Sequence, residues 1–154
     1  MITLAAMTSS EFDAFLKICI PQFAANKVRS GNWPELGALE RSQREFAQLL
    51  PQGLATPHHH FFAVIQASPR ERLGWLWLMV EKQDAFIYEI IIDEPYRRQG
   101  YGQKTMQLAE REAQRLGATK MGLHVFGFNQ AARALYEKLG YAITNINMSK
   151  TLGP

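Results

Sequence analysis

The chain has 154 residues, 17 Lys and Arg against 14 Asp and Glu for a formal net charge of +3, and 47% apolar against 20% charged residues. That is about one domain of ordinary globular composition, expected to span 1–154, which excludes a disordered, collagenous or coiled-coil chain. No apolar run approaches the ~18 residues of a membrane span, and the charges are scattered rather than blocked, so the basic balance favours no nucleic acid but leaves room for one local anion site.

Ile2–Ala6 reads as a short first strand. Thr8 and Glu11 have capping-box spacing, so a helix starts there. Phe12, Phe15, Leu16, Cys19, Ile20 and Phe23 recur on one helical face. Pro21 falls inside that pattern and is expected to kink or end the helix. Residues 29–34 read as a loop. Leu36, Leu39, Gln43, Phe46 and Leu50 suggest a second helix, stopped by Pro51 and Gly53. Three strand-like runs follow, Phe61–Ala67, Leu73–Glu81 and Ala85–Ile92, and their short connections predict an antiparallel meander.

From Gly102 to Leu116 the pattern is helical, with Gly117 placed to terminate it. Met121–Phe126 alternates like a strand, and Asn129 can cap a helix running to Leu139, stopped by Gly140. Tyr141–Thr144 and Ile146–Thr151 read as a last pair of strands. The predicted order is β-α-α-β-β-β-α-β-α-β-β, a mixed α/β sheet.

The sharpest local feature is Arg97-Arg98-Gln99-Gly100-Tyr101-Gly102, set between the most apolar strand and an amphipathic helix. Glycines there free the backbone to adopt positive φ and approach a ligand. The following helix points its free N–H groups and positive dipole end at the loop, which suits phosphate. A dinucleotide fingerprint needs a third glycine where Thr105 stands, and a P-loop needs Gly-Lys-Ser/Thr where Gly102-Gln103-Lys104 stands, so both fail.

What remains, Arg/Gln-x-x-Gly-x-Gly/Ala, resembles the coenzyme A pyrophosphate loop of the GCN5-related N-acetyltransferases, the GNAT superfamily. Ile91–Arg97 is similar to the approach to that loop. Asn129-Gln130-Ala131-Ala132-Arg133-Ala134-Leu135-Tyr136-Glu137-Lys138-Leu139-Gly140-Tyr141 is similar to the superfamily's second signature. The resemblance is strongest over residues 73–144. Arg98 departs from the pattern, since many members carry Gly there.

The resemblance implies a GNAT fold, with a central, mostly antiparallel sheet of about six to seven strands and about four helices. It also implies acetyl-CoA as acetyl-donor cosubstrate and a primary amine, on a small molecule or a protein, as acceptor attacking directly in a ternary complex. Backbone at Ile90, Ile91 and Ile92 would hold the pantetheine and acetyl groups. Arg97, Arg98, Gln99, Gly100, Tyr101, Gly102 and Gln103 would hold the pyrophosphate. Asn129 and Ala132 would contribute from the second signature, with Asn129 capping the helix, touching the pantetheine arm, or both. Tyr136 matches the signature's tyrosine and is the candidate acid for the leaving thiolate and a coenzyme contact; its alternative is a packed tyrosine at the helix–sheet seam. A homodimer is an open option in this family.

An amine of pKa ~10.4 is only about one part in a few thousand neutral at pH 7, so a general base helps. Glu89 is the candidate: it alternates with Ile87 and Ile91 on an otherwise apolar strand, where a carboxylate's pKa rises. Its alternative is a structural carboxylate. Tyr88 and Trp33 are substrate-binding candidates. His58-His59-His60 invites a metal, but alternate residues of an extended chain face opposite ways, no carboxylate or Cys stands at ligand spacing, and a strand entrance is the simpler reading; no metal is expected. The lone Cys19 can form no internal disulfide and reads as packing. With no basic leader visible before Glu11 and Asp13, a reducing, cytoplasmic setting is expected. The rival to an acetyltransferase is a non-catalytic acyl-CoA binder or sensor on the same fold; a nucleic-acid module rests on net charge alone.

Overall fold

The computed structural model describes every residue from Met1 to Pro154. After strand β1 (Ile2–Ala6), Thr8 caps helix α1 (Ser9–Arg29) with the expected box: its Oγ1 accepts from the Glu11 N–H at 3.1 Å, and Glu11 accepts from the Thr8 N–H at 2.9 Å. The expected break at Pro21 does not occur. α1 runs through it, because Pro21 sits on an exposed face where neither the ring nor the freed carbonyl is buried.

Helix α2 (Ala38–Leu49) leads through a short 3₁₀ turn at Gly53–Ala55 into the meander β2 (His59–Gln66), β3 (Glu71–Glu81) and β4 (Asp84–Ile92). Helix α3 (Tyr101–Arg115), strand β5 (Lys120–Leu123) and helix α4 (Gln130–Lys138) complete the regular structure. The five strands form one sheet in sequence order, antiparallel except for the parallel pair β4–β5.

Two apolar layers sandwich the sheet. On one face Phe12, Phe15 and Cys19 of α1 meet Phe61, Trp75 and Trp77, with Phe15 6.0 Å from Trp75 and 6.2 Å from Trp77 between ring centroids. On the other, Met106, Ala109 and Ala113 of α3 meet Val64, Leu76, Leu78 and Ile87, and Tyr136 and Leu139 of α4 pack at the margin. The two central tryptophans share one face, as strand alternation requires.

Two corrections follow. The sheet has five strands rather than six to seven, because residues 141–151 form none: from Ala142 to Pro154 no residue makes a backbone hydrogen bond within the chain. A strand needs a neighbour, and this segment lies against none. Second, a register shift opposite Trp77 and Leu78 leaves Tyr88 as an extra residue on β4. Ile87 and Ile90 therefore pack on the α3 side and Tyr88 and Ile91 on the α1 side. Glu89 does not share a face with Ile87, as unbroken alternation predicts. Trp33, a substrate-binding candidate, is only 6% exposed, in a small cluster with Ala24 and Ala38 and edge-on to Phe23, so nearly all of its surface packs within the chain.

Gly74 is the tightest point of the meander. A Cβ there would stand 1.9 Å from the Ile91 carbonyl oxygen, a backbone atom that cannot swing aside. Gly74→Ala is expected to cost at least about 1–3 kcal/mol, the usual range for overpacking, read as a lower urea midpoint. An unchanged midpoint would show that β3 and β4 are not held this closely.

Candidate functional site

β4 and β5 pair only where Asp84–Ile87 lie beside Lys120–Leu123. Beyond that point β4 continues to Ile92 while β5 has ended. Tyr88–Ile92 thus have β3 on one side and no strand on the other. The sheet is split here, and the split opens toward the Arg97–Gly102 loop.

The loop has the geometry of an anion cradle. Gly100 caps α3 in the left-handed region with φ 81°, and Arg98 is also left-handed with φ 61°. The amide N–H groups of six successive residues, Arg98 to Gln103, donate to no acceptor in the chain. Successive free amides in such a turn, at the positive end of a 15-residue helix, make a concavity for phosphate oxygens.

Only Gly100 of the two glycines has positive φ. At Gly102 φ is not positive and a Cβ would meet Leu135 Cδ2 at an ordinary 3.6 Å, so neither the turn nor the packing of the chain itself excludes a Cβ there. Arg98, standing where the pattern has Gly, carries a strained conformation that costs roughly 1–2 kcal/mol for a residue with a Cβ.

The remaining loop side chains brace it. Arg97 Nε donates to the Ile92 carbonyl at 2.8 Å, and Gln99 Nε2 donates to the Pro95 carbonyl at 3.3 Å. Tyr101 donates its hydroxyl to Gln66 at 3.2 Å, and Lys104 lies 5.6 Å from the Tyr101 ring. Gln103 is half-buried at the mouth of the helix. Asn129 caps α4 by accepting from the Ala132 N–H at 3.2 Å, so that amide is already satisfied.

Glu89 and Tyr136 come together electrostatically. Burial pushes the Glu89 carboxyl up to about 7, held back by the Ile90 N–H. Burial also raises the Tyr136 phenol, and the Glu89 charge adds to the rise, so Tyr136 keeps its proton throughout the neutral range. The same charge, after burial, raises the Cys19 thiol, which is inert packing.

Tyr88 belongs to an aromatic group that sequence reasoning only partly found. It stacks on Trp77 at 4.6 Å and lies 4.8 Å from Phe86 and 5.5 Å from His59. Trp77 Nε1 donates to His59 Nδ1 at 2.9 Å. Burial, then the neighbouring His58 and His60, lower the His59 pKa, which suits this acceptor role. His60 instead feels Glu112 and Arg115 of α3, on the opposite face. No three His, Cys, Asp or Glu side chains gather into a metal-binding group, and no helix is long and apolar enough to cross a membrane.

The family model described as Acetyltransferase (GNAT) family matches residues 25–141. The uncharacterized N-acetyltransferases YycN and YdgE of Bacillus subtilis strain 168 are 39% and 38% identical to the chain, covering 98% and 97% of it and 99% and 98% of their own lengths. The crystal structure of Bacillus subtilis YycN superposes with a TM-score of 0.95 at 38% identity, with all of both chains covered. The structure of AAC(6')-Iy in complex with the bisubstrate analogue CoA-S-monomethyl-acetylneamine shares the fold, with a TM-score of 0.60 at 12% identity.

Proposed function

Because the chain belongs to the GNAT family of acetyltransferases, we propose that it transfers the acetyl group of acetyl-CoA to a primary amine within a ternary complex. The observation that carries this reading is the run of six unpartnered amides at the head of α3, beside the half of β4 that lacks a neighbour. A long ligand with a diphosphate at one end and amide-bearing arms at the other matches both features at once.

Bound acetyl-CoA supplies an activated acyl group as its thioester. The chain supplies the rest. The amides of Arg98–Gln103, with Arg97 and Arg98, hold the pyrophosphate. The side of β4 that lacks a neighbouring strand at Ile90, Ile91 and Ile92 pairs with the pantetheine arm and fixes the acyl carbonyl. Asn129 and Ala132 border that arm from α4. Glu89, titrating near neutrality, takes the proton from the incoming amine. Tyr136, still protonated, donates a hydrogen bond to the departing sulfur. Tyr88, on the Trp77 stack, lines the acceptor side.

Thermal unfolding with acetyl-CoA, CoA, ATP and NAD added separately tests the coenzyme. A ligand at 100 times its Kd adds about 2.7 kcal/mol, so a Tm rise of several degrees is expected with the two coenzyme A species only. No shift with either removes the loop assignment. Turnover of an amine panel, followed by thiol release, separates an enzyme from an acyl-CoA binder on this fold. Tyr136→Phe is expected to lower kcat by about 10²-fold or more, the range of acid catalysis, with acetyl-CoA affinity retained; unchanged kcat would remove Tyr136 as the acid.

A further inference from the structure

Two segments meet where the sheet splits. One is residues 124–128, which follow the last β4–β5 pair, Ile87 with Leu123, and lead to Asn129 at the head of α4. The other is the C-terminal end of α1. The Arg29 guanidinium lies 4.0 Å over the Phe128 ring, and partial burial and then the Lys27 charge lower the His124 pKa, so both cations stand against this segment. The same helix passes Glu89 at Cys19, whose thiol is raised by burial and then by the Glu89 charge. Lys27 and Arg29 are 8 and 10 residues further on, roughly 12–15 Å along the axis. Helical side chains lean back toward the N-terminus, here toward Glu89.

Both segments lack carboxylates. No Asp or Glu occurs between Asp13 and Glu35, nor between Glu112 and Glu137. The ion pairs of the chain, His58–Glu81, Arg72–Asp93 and Arg115–Glu112, leave Lys27 and Arg29 out. Their neighbours are rings instead: Phe128 under Arg29, and Phe23 and Trp33 at 5.4 and 5.7 Å from Lys27 Nζ. A ring positions a cation without neutralising it, and a stacked guanidinium keeps its N–H edge for an anion. The amides of residues 124–128 donate to no acceptor in the chain and add free donors to the same rim.

We propose that the acceptor is an amine whose far end, several bonds from the nitrogen, carries a carboxylate or phosphate that Lys27 and Arg29 hold at this rim. The proposal rests on the acetyl-transfer reading above and narrows its acceptor. Glu89 addresses the nitrogen, and the anion stays bound and unreacted. Polyamines and other polycations fit poorly, because their second charge would lie against two unpaired cations. The two anions share one recognition chemistry, and the test tells them apart.

Four amines of one length make the comparison: hexylamine, 6-aminohexanoate, 6-aminohexyl phosphate and 1,6-diaminohexane, each with saturating acetyl-CoA and thiol release as the readout. For an anion-tailed amine kcat/KM is expected to exceed that of hexylamine about 10-fold or more, the size of one hydrogen bond to a charged group. The diamine should be the poorest, and the better of the two anions identifies the tail. Lys27→Gln combined with Arg29→Gln should bring the anion-to-neutral ratio close to one. Arg29→Lys alone should keep most of the preference, which loss of packing on Phe128 would not explain. Equal kcat/KM across the four amines, preference for the diamine, or a preference that survives the double substitution overturns the proposal and leaves acetyl transfer standing. If no amine is turned over, the acetyl-transfer reading fails separately, and binding decides the rim. With CoA saturating, hexanoate or hexyl phosphate should raise Tm in the wild type and not in the double variant, and hexylamine in neither. No such difference overturns the proposal.

Discussion

Gly100→Asp is expected to abolish acetyl-CoA binding in a chain that still folds. Gly100 stands at the N-cap of α3 with φ 81°, where the amide run of Arg98–Gln103 converges. A Cβ at this position has nothing within 4 Å, so the substitution does not clash with the protein. Asp is among the few residues that tolerate left-handed backbone, so the stability cost stays near 1 kcal/mol. The carboxylate, however, would occupy the space that phosphate oxygens need and would oppose their charge. Calorimetric titration with acetyl-CoA reads the loss. Gly100→Asn separates the two causes, since it has nearly the same shape without the charge: it should bind weakly where Asp does not bind at all. Retained affinity in a folded Gly100→Asp chain would move the pyrophosphate to another part of the molecule.

The anion loop was legible because its chemistry is local. Glycine at a strand-to-helix turn, flanking arginines and a following amphipathic helix are all consecutive, and the second signature around Asn129 and Tyr136 is likewise one continuous stretch. The helix caps at Thr8 and Asn129 and the terminator at Gly117 are local too, and each stands where its spacing predicts. What was not legible depends on residues far apart. The bulge at Tyr88 is a mismatch between two strands, and no residue in β4 announces it. Gly74 looks like any strand glycine until the Ile91 carbonyl is placed against it. Trp33, in a loop and before a proline, carried no sign that α1 and α2 would close over it. The alternation around Ile146 and Met148 predicts a strand that does not form, because a pattern shows what a segment is suited to pair with, not whether its own chain offers the partner. Ile87 lies on the other face, yet Glu89 is still buried and its charge still reaches Tyr136.

Glu89→Gln should alter rate and stability in opposite directions, and that opposition identifies the role. As the base that accepts the amine proton, Glu89 is expected to contribute about 10²–10⁴ in kcat/KM, and the wild-type pH profile should rise with a limb near pH 7 that disappears in the variant. Stability follows from the same raised pKa. Between about 4.5 and about 7 the folded chain binds more protons at this site than the unfolded chain does. Stability therefore falls as pH rises through that window, and the penalty is complete above it. Its size is on the order of 3 kcal/mol at 1.36 kcal/mol per unit. Gln carries no charge to desolvate, so the variant should melt above wild type at pH 8 and lose that advantage near pH 5. A structural carboxylate held by strong donors would give the reverse, a variant that melts lower at pH 8. If turnover is unchanged, the proton leaves by another route and Glu89 is not the base. If turnover falls while stability at pH 8 rises, the chain keeps a costly buried carboxylate at the split in the sheet, and catalysis is what that cost sustains.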